Sequence, residues 1–169
     1  IVLRTSAGAL SVNQAVSANG SGRVLLQTLG AGTDLTLSAD VGSGSGSISV
    51  LSAQALSLLA NADVQTSSTS QGSGHIDLQA LTALTMDVSS SLVSTGATAV
   101  ARLSASDVVV GRITLASGSV GITATGGSII DADPLAGTAN DFAVDITSYA
   151  LRLNAAVGIG SAVDALETS

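Results

Sequence analysis

The sequence predicts an all-β fold: a parallel β-helix, or β-solenoid, with about three short strands in each rung of roughly 25 residues. Three observations lead to this fold class. Short segments of alternating apolar and polar residues recur in a fixed order, glycine-rich turns separate them, and aromatic residues are almost absent. Alternation of this kind is typical of a strand that buries one of its two faces.

The composition favours a narrow interior that is repeated many times. Hydrophobic residues make up 46% of the 169 residues, but aromatic residues only 1%, namely Phe142 and Tyr149. The core must therefore be filled by Leu, Val, Ile and Ala. With 19 glycines and a single proline, the chain makes its tight turns mainly through positions with positive φ.

Three ordered series of apolar residues carry the repeat. The anchor of the first strand recurs at spacings of 23, 24, 28 and 25 residues, and the series for the second and third strands follow it with similar spacings. Each series predicts a buried column, since equivalent strands stack about 4.8 Å apart. The three series are Leu3, Leu26, Val50, Leu78, Leu103; then Leu10, Leu35, Leu56, Leu84; then Val16, Val41, Val64, Val93.

The whole chain, residues 1–169, is predicted to be one solenoid segment of a longer repetitive chain. Regular rungs occupy residues 1–105, and looser rungs occupy 106–169, with a longer loop at 131–142. Neither end shows a polar cap, so we expect open strand edges that meet neighbouring modules of the same chain or other copies end to end.

The predicted register of the first column can be tested on a pair of charged side chains. If Leu78 stacks on Leu103, then Asp77 and Arg102 are neighbours on the outer face, where we expect an exposed ion pair.

Charge excludes several classes of function. The chain has five arginines and no lysine, and its net charge is -7, which argues against a nucleic-acid surface. No apolar run approaches the roughly 18 residues of a transmembrane helix. Cysteine is absent, which removes disulfides, thiol catalysis and thiolate metal sites. A chain rich in Ser, Thr and Gly with no lysine is typical of long secreted repeat proteins.

Residues with catalytic potential are sparse, and the sequence does not predict an enzyme. His75 shares an outward strand face with Asp77, but the chain has no second histidine. A solvated surface pair is the expected interpretation. A solenoid glycosidase gathers its carboxylates in one groove, whereas the acidic residues here are scattered one per element, at Asp34, Asp63, Asp87 and Asp107.

One acidic group is a candidate metal site. Asp131, Asp133 and Asp141 fall in the longer loop, and several carboxylate oxygens from one loop are suitable ligands for calcium. Calcium is the one cofactor that the sequence suggests.

Repeated motifs resemble those of a known group of proteins. Gly46–Ala53 reads Gly-Ser-Ile-x-x-x-x-Ala, Leu35–Ala39 reads Leu-x-Leu-x-Ala, and the run Gly127–Asp133 continues the same style. These motifs resemble the repeats of giant bacterial surface proteins and filamentous-haemagglutinin-like adhesins. The resemblance implies a right-handed parallel β-helix, export to the cell surface, and a role as stalk, fibre or adhesin body. It implies no functional residue. The alternative is a binding module whose loops, chiefly 131–142, recognise a glycan or a partner protein.

Overall fold

The computed structural model describes residues 1–67, 74–133, 144–161 and 165–169. Its regular structure consists entirely of strands, and the described residues contain no helix that could span a membrane. The strands are β1 Val2–Thr5, β2 Leu10–Val12, β3 Val16–Ala18, β4 Val24–Thr28, β5 Leu35–Leu37, β6 Val41–Ser43, β7 Ile48–Ser52, β8 Leu56–Leu58, β9 Val64–Thr66, β10 Ile76–Ala80, β11 Ala83–Met86, β12 Ser91–Ser94, β13 Val100–Ala105, β14 Asp107–Val110, β15 Arg112–Ala124, β16 Ser128–Asp131, β17 Ile146–Ala155 and β18 Gly158–Ile159.

The strands form three parallel stacks, and every third strand pairs with its equivalent one rung away. The first stack contains β1, β4, β7, β10, β13 and the second halves of β15 and β17. The second contains β2, β5, β8, β11, β14, β16 and β18. The third contains β3, β6, β9, β12 and the first halves of β15 and β17. The all-β parallel solenoid is thereby confirmed.

The predicted columns of the first two stacks are confirmed residue by residue. Leu3 pairs with Leu26, Leu26 with Val50, Val50 with Leu78, and Leu78 with Leu103. The second column runs through Leu10, Leu35, Leu56 and Leu84. The interior members of both columns are almost completely buried. Each such leucine stabilises the fold by about 1.5–3 kcal/mol through the area that it removes from water.

The third column was predicted one residue out of register at its fourth position. Val64 pairs with Leu92, while Val93 pairs with Gln65 and is only half-buried. The sequence pattern could not separate Leu92 from Val93, because both are apolar. Ser94 resolves the register: its hydroxyl lies inside, where it accepts a 2.7 Å hydrogen bond from the Thr66 hydroxyl.

Buried hydroxyl groups occupy the corners between stacks. The Thr28 hydroxyl donates to the carbonyl of Thr33 and accepts the backbone N–H of Ala53 from the next rung. At another corner, the Ser43 hydroxyl donates to the carbonyl of Gly22. These bonds satisfy backbone groups that turn away from the ladders, which a buried aliphatic side chain could not do.

Glycine is required where two rungs approach most closely. A Cβ atom on Gly46 would overlap the carbonyl oxygen of Gly22, one rung below. The backbone at Gly22 cannot move aside to relieve this overlap, as the end of a flexible side chain could. The glycine clusters between strands therefore permit close stacking of the turns as well as their tight bends.

The later part of the chain continues the same three stacks despite its looser pattern. Leu103 pairs with Ile122, and Ile122 with Leu153, although the spacings are 19 and 31 residues. Strand β15 passes from the third stack into the first as one 13-residue strand, and its pairing with β17 is irregular between Leu115 and Ser119.

Candidate functional site

Three carboxylates meet at the last rungs of the solenoid. Oxygen atoms of Asp131, Asp145 and Glu167 all lie within 4.8 Å of one another. Asp131 ends strand β16 in the second stack, and Asp145 immediately precedes β17 in the third. Glu167 reaches the same place because Thr168 next to it forms a parallel bridge with Ile146.

Asp145 is the buried member of this acidic cluster. Only 7% of Asp145 is exposed, and its Oδ2 accepts a 2.9 Å hydrogen bond from the backbone N–H of Glu167. The pKa of Asp145 is raised to about 7, chiefly by burial. The charges of Asp131 and Glu167 and the side chain of Glu167 also raise this pKa, while the backbone hydrogen bond lowers it. Glu167 Oε2 is also buried, and no hydrogen-bond partner for it lies among the described residues.

The acidic cluster differs from the set of residues that the sequence suggested for calcium. Asp131 belongs to the acidic cluster, but the cluster contains Asp145 and Glu167 in place of Asp133. The backbone N–H of Asp133 donates to Asp131 Oδ1 at 3.0 Å. Asp141 lies outside the described residues. Sequence reasoning missed Asp145 and Glu167 because their contact spans 22 residues and no local motif joins them.

Three carboxylates at this distance repel one another when all are ionised. A proton held by the cluster relieves the repulsion, and so does a cation with a preference for hard oxygen ligands. Calcium binding, which the sequence suggested at Asp131, Asp133 and Asp141, stays a prediction.

Most acidic residues elsewhere in the described chain act as clamps between rungs. The carboxylate of Asp34 accepts the backbone N–H of Ala55, Asp40 accepts that of Asp63, and Asp107 accepts that of Ser128. Asp63 accepts both the backbone N–H and the hydroxyl of Ser91, each at 2.8 Å. The hydrogen bond from Glu167 to Asp145 has the same form, so the acidic cluster is built on one of these clamps.

His75 and Asp77 have separate partners. His75 Nδ1 accepts the backbone N–H of Val100 at 3.0 Å, and the Asp77 carboxylate accepts the side-chain amide of Gln79. Asp77 and Arg102 are register partners as predicted. The expected ion pair was wrong, since no contact within 4.0 Å joins their charged groups. The Gln79 amide takes the place of the guanidinium.

We compared the chain with protein-family models, with curated proteins and with solved structures, and none of the three comparisons finds a match. The parallel β-solenoid therefore rests on the pairing of the strands. The resemblance to surface-adhesin repeats rests on the quoted motifs alone.

The Asp63 clamp gives the first testable prediction. Replacing Asp63 by Ala leaves the N–H of Ser91 without its acceptor, and we expect the free energy of unfolding to fall by about 1–3 kcal/mol. Asp63→Asn keeps an acceptor oxygen and should cost clearly less. Urea unfolding followed by circular dichroism measures both variants. Equal losses for the two variants would contradict the clamp.

A second prediction follows from the pKa of Asp145. The folded-state pKa of about 7 lies above the ordinary value of 3.8, so the folded protein binds more protons between these two values. The stabilisation from the proton on Asp145 is therefore complete below about pH 4 and is lost as the pH rises through 7. Asp145→Asn cannot ionise but can still accept the Glu167 N–H. We expect this variant to match the native chain near pH 4 and to be more stable near pH 8.

Thermal unfolding between pH 4 and pH 8, with a chelator present, tests this expectation. Asp107→Asn is the matched control, because Asp107 forms an equivalent clamp outside the acidic cluster. A pH profile of Asp145→Asn parallel to that of the native chain would contradict the raised pKa.

Proposed function

We propose that the chain is a non-catalytic structural module of a large repetitive extracellular protein, part of a stalk, fibre or adhesin body on a bacterial surface. The observation that carries the proposal is the continuity of the three stacks. Parallel pairing passes from β1 to the second half of β17 across rungs of very different length. A fold that keeps its strand ladders while its loops vary in length is suited to a mechanical role, in which the stacked strands themselves form the stalk or fibre.

The end rungs support assembly along the solenoid axis. Leu3 occupies the same column as Leu26 and Leu78, yet it is 39% exposed whereas they are fully buried. At the other end, Leu151 and Ile159 are also exposed. A neighbouring module, or another copy, that continued the columns would bury these side chains and satisfy the open backbone edges.

The partners of the polar side chains support a role without catalysis. Asp34, Asp40, Asp63 and Asp107 accept backbone N–H groups across rungs, so their carboxylates are used in holding the stack. The lone His75 accepts a backbone N–H through Nδ1. Surface localisation is supported by the composition, which has no cysteine or lysine, and by the resemblance of the motifs.

A binding module is the second candidate. The loop expected to recognise a ligand was 131–142, and residues 134–142 of it lie outside the described part of the chain. A groove on the outer face of the first stack is the observation that favours binding, and its ligand is argued below.

End-to-end assembly is tested by a charge in the terminal column. We expect the native chain to associate at about 1 mM or below, and we expect Leu3→Asp to abolish association because it places a charge in the buried column. Val2→Asp is the matched control, since Val2 is 66% exposed on the same strand. Sedimentation velocity measures association, and circular dichroism confirms that both variants fold. A native chain that stays monomeric, or equal effects of the two substitutions, would contradict end-to-end association of copies through the Leu3 column.

A further inference from the structure

A groove of about 370 Å³ lies on the outer face of the first stack, across β10, β13, β15 and β17. Its floor follows from the register. Arg102 pairs with Gly121, and Gly121 pairs with Arg152, so a glycine separates two arginines in one outward column. A Cβ atom on Gly121 would meet no heavy atom within 4 Å. The groove is therefore open down to the backbone at Gly121, with one arginine about 4.8 Å away on each side.

The two arginines are available to a ligand. Both are exposed, and within the described residues neither guanidinium forms an ion pair or a hydrogen bond. They are two of only five cationic side chains in a chain whose net charge is -7. Asp77 lies one rung from Arg102 in the same column, and its carboxylate accepts the side-chain amide of Gln79. The groove thus holds two arginines against one carboxylate, whereas the chain as a whole is acidic.

The chemistry of the lining defines the ligand. A guanidinium binds a planar carboxylate through two parallel hydrogen bonds, and a carboxylate seated over Gly121 lies within reach of both arginines. Ser104 and Thr123 place hydroxyl groups in the next outward column, beside the amide of Gln79. These neutral groups suit the hydroxyls of a sugar ring. The volume is at the lower end of the range for small-molecule sites, which fits a short saccharide.

We propose that this groove binds an acidic saccharide through a hexuronate carboxylate placed over Gly121 between Arg102 and Arg152. Such binding uses the rigid strand face of the solenoid and not its loops. It goes beyond the structural role and is tested separately from it, because binding needs no second copy and Leu3, whose substitution tests assembly, lies at the other end of the stack from Arg152.

The test is a calorimetric titration of the full chain with trigalacturonate and with its methyl ester. The ester keeps every ring hydroxyl but removes the charge, so we expect at least tenfold weaker binding. Arg102→Gln and Arg152→Gln should each weaken binding of the acid at least tenfold. Gly121→Val should abolish it by filling the floor, where a Cβ atom meets no heavy atom within 4 Å. Circular dichroism confirms the fold of each variant.

Arg4→Gln is the matched control, since Arg4 is an exposed arginine of the same stack at its other end. We expect it to bind like the native chain. Equal affinity for acid and ester, no binding of the acid, or equal losses for Arg4→Gln and Arg152→Gln would overturn the proposal. Acetate or inorganic sulfate that binds as tightly as the trisaccharide would overturn it too, because the site would then recognise a simple anion.

Discussion

The hydrogen-bond ladder between rungs is the constraint on which the rest of the structure depends. Each strand pairs in parallel with its equivalent one turn earlier and one turn later, so a residue that faces inward must have inward-facing residues above and below it. Leu26, Val50 and Leu78 satisfy this condition in the first stack. One slip by a single residue would turn a whole strand inside out, and the penalty would recur at both neighbouring rungs.

This ladder explains the unusual composition. Columns of Leu, Val and Ile fill a narrow interior without aromatic rings, and the hydroxyls of Thr28, Ser43 and Ser94 satisfy backbone groups at the corners. The aspartates reinforce the ladder from outside, since each clamp ties a carboxylate to an N–H of the next rung. At the last rungs the same geometry brings carboxylates together. There the clamp of Asp145 meets two more carboxylates, and burial holds its pKa near 7.

Much of the fold could be predicted from sequence because strand alternation and repeat spacing are local signals. They placed the columns of Leu78 and Leu84 correctly, and they failed at Val93, where two adjacent apolar residues leave the alternation ambiguous. The candidate sites were much harder to predict from the sequence. The contact of Asp145 with Glu167 and the placing of Gly121 between two arginines depend on rungs of irregular length, and spacing alone could not supply that register.

Disulfide trapping across one of the longer rungs tests the ladder most directly. The chain has no cysteine, and Ser57 and Thr85 are outward register partners 28 residues apart. Their Cα atoms should therefore lie about 4.8 Å apart, within the span of a disulfide, whereas Ser57 and Ala83 should be about 8 Å apart, beyond it. The account predicts that mild oxidation of Ser57→Cys/Thr85→Cys gives an intramolecular disulfide, seen by mass spectrometry, and that Ser57→Cys/Ala83→Cys does not. Efficient trapping of the second pair and not the first would contradict the parallel register.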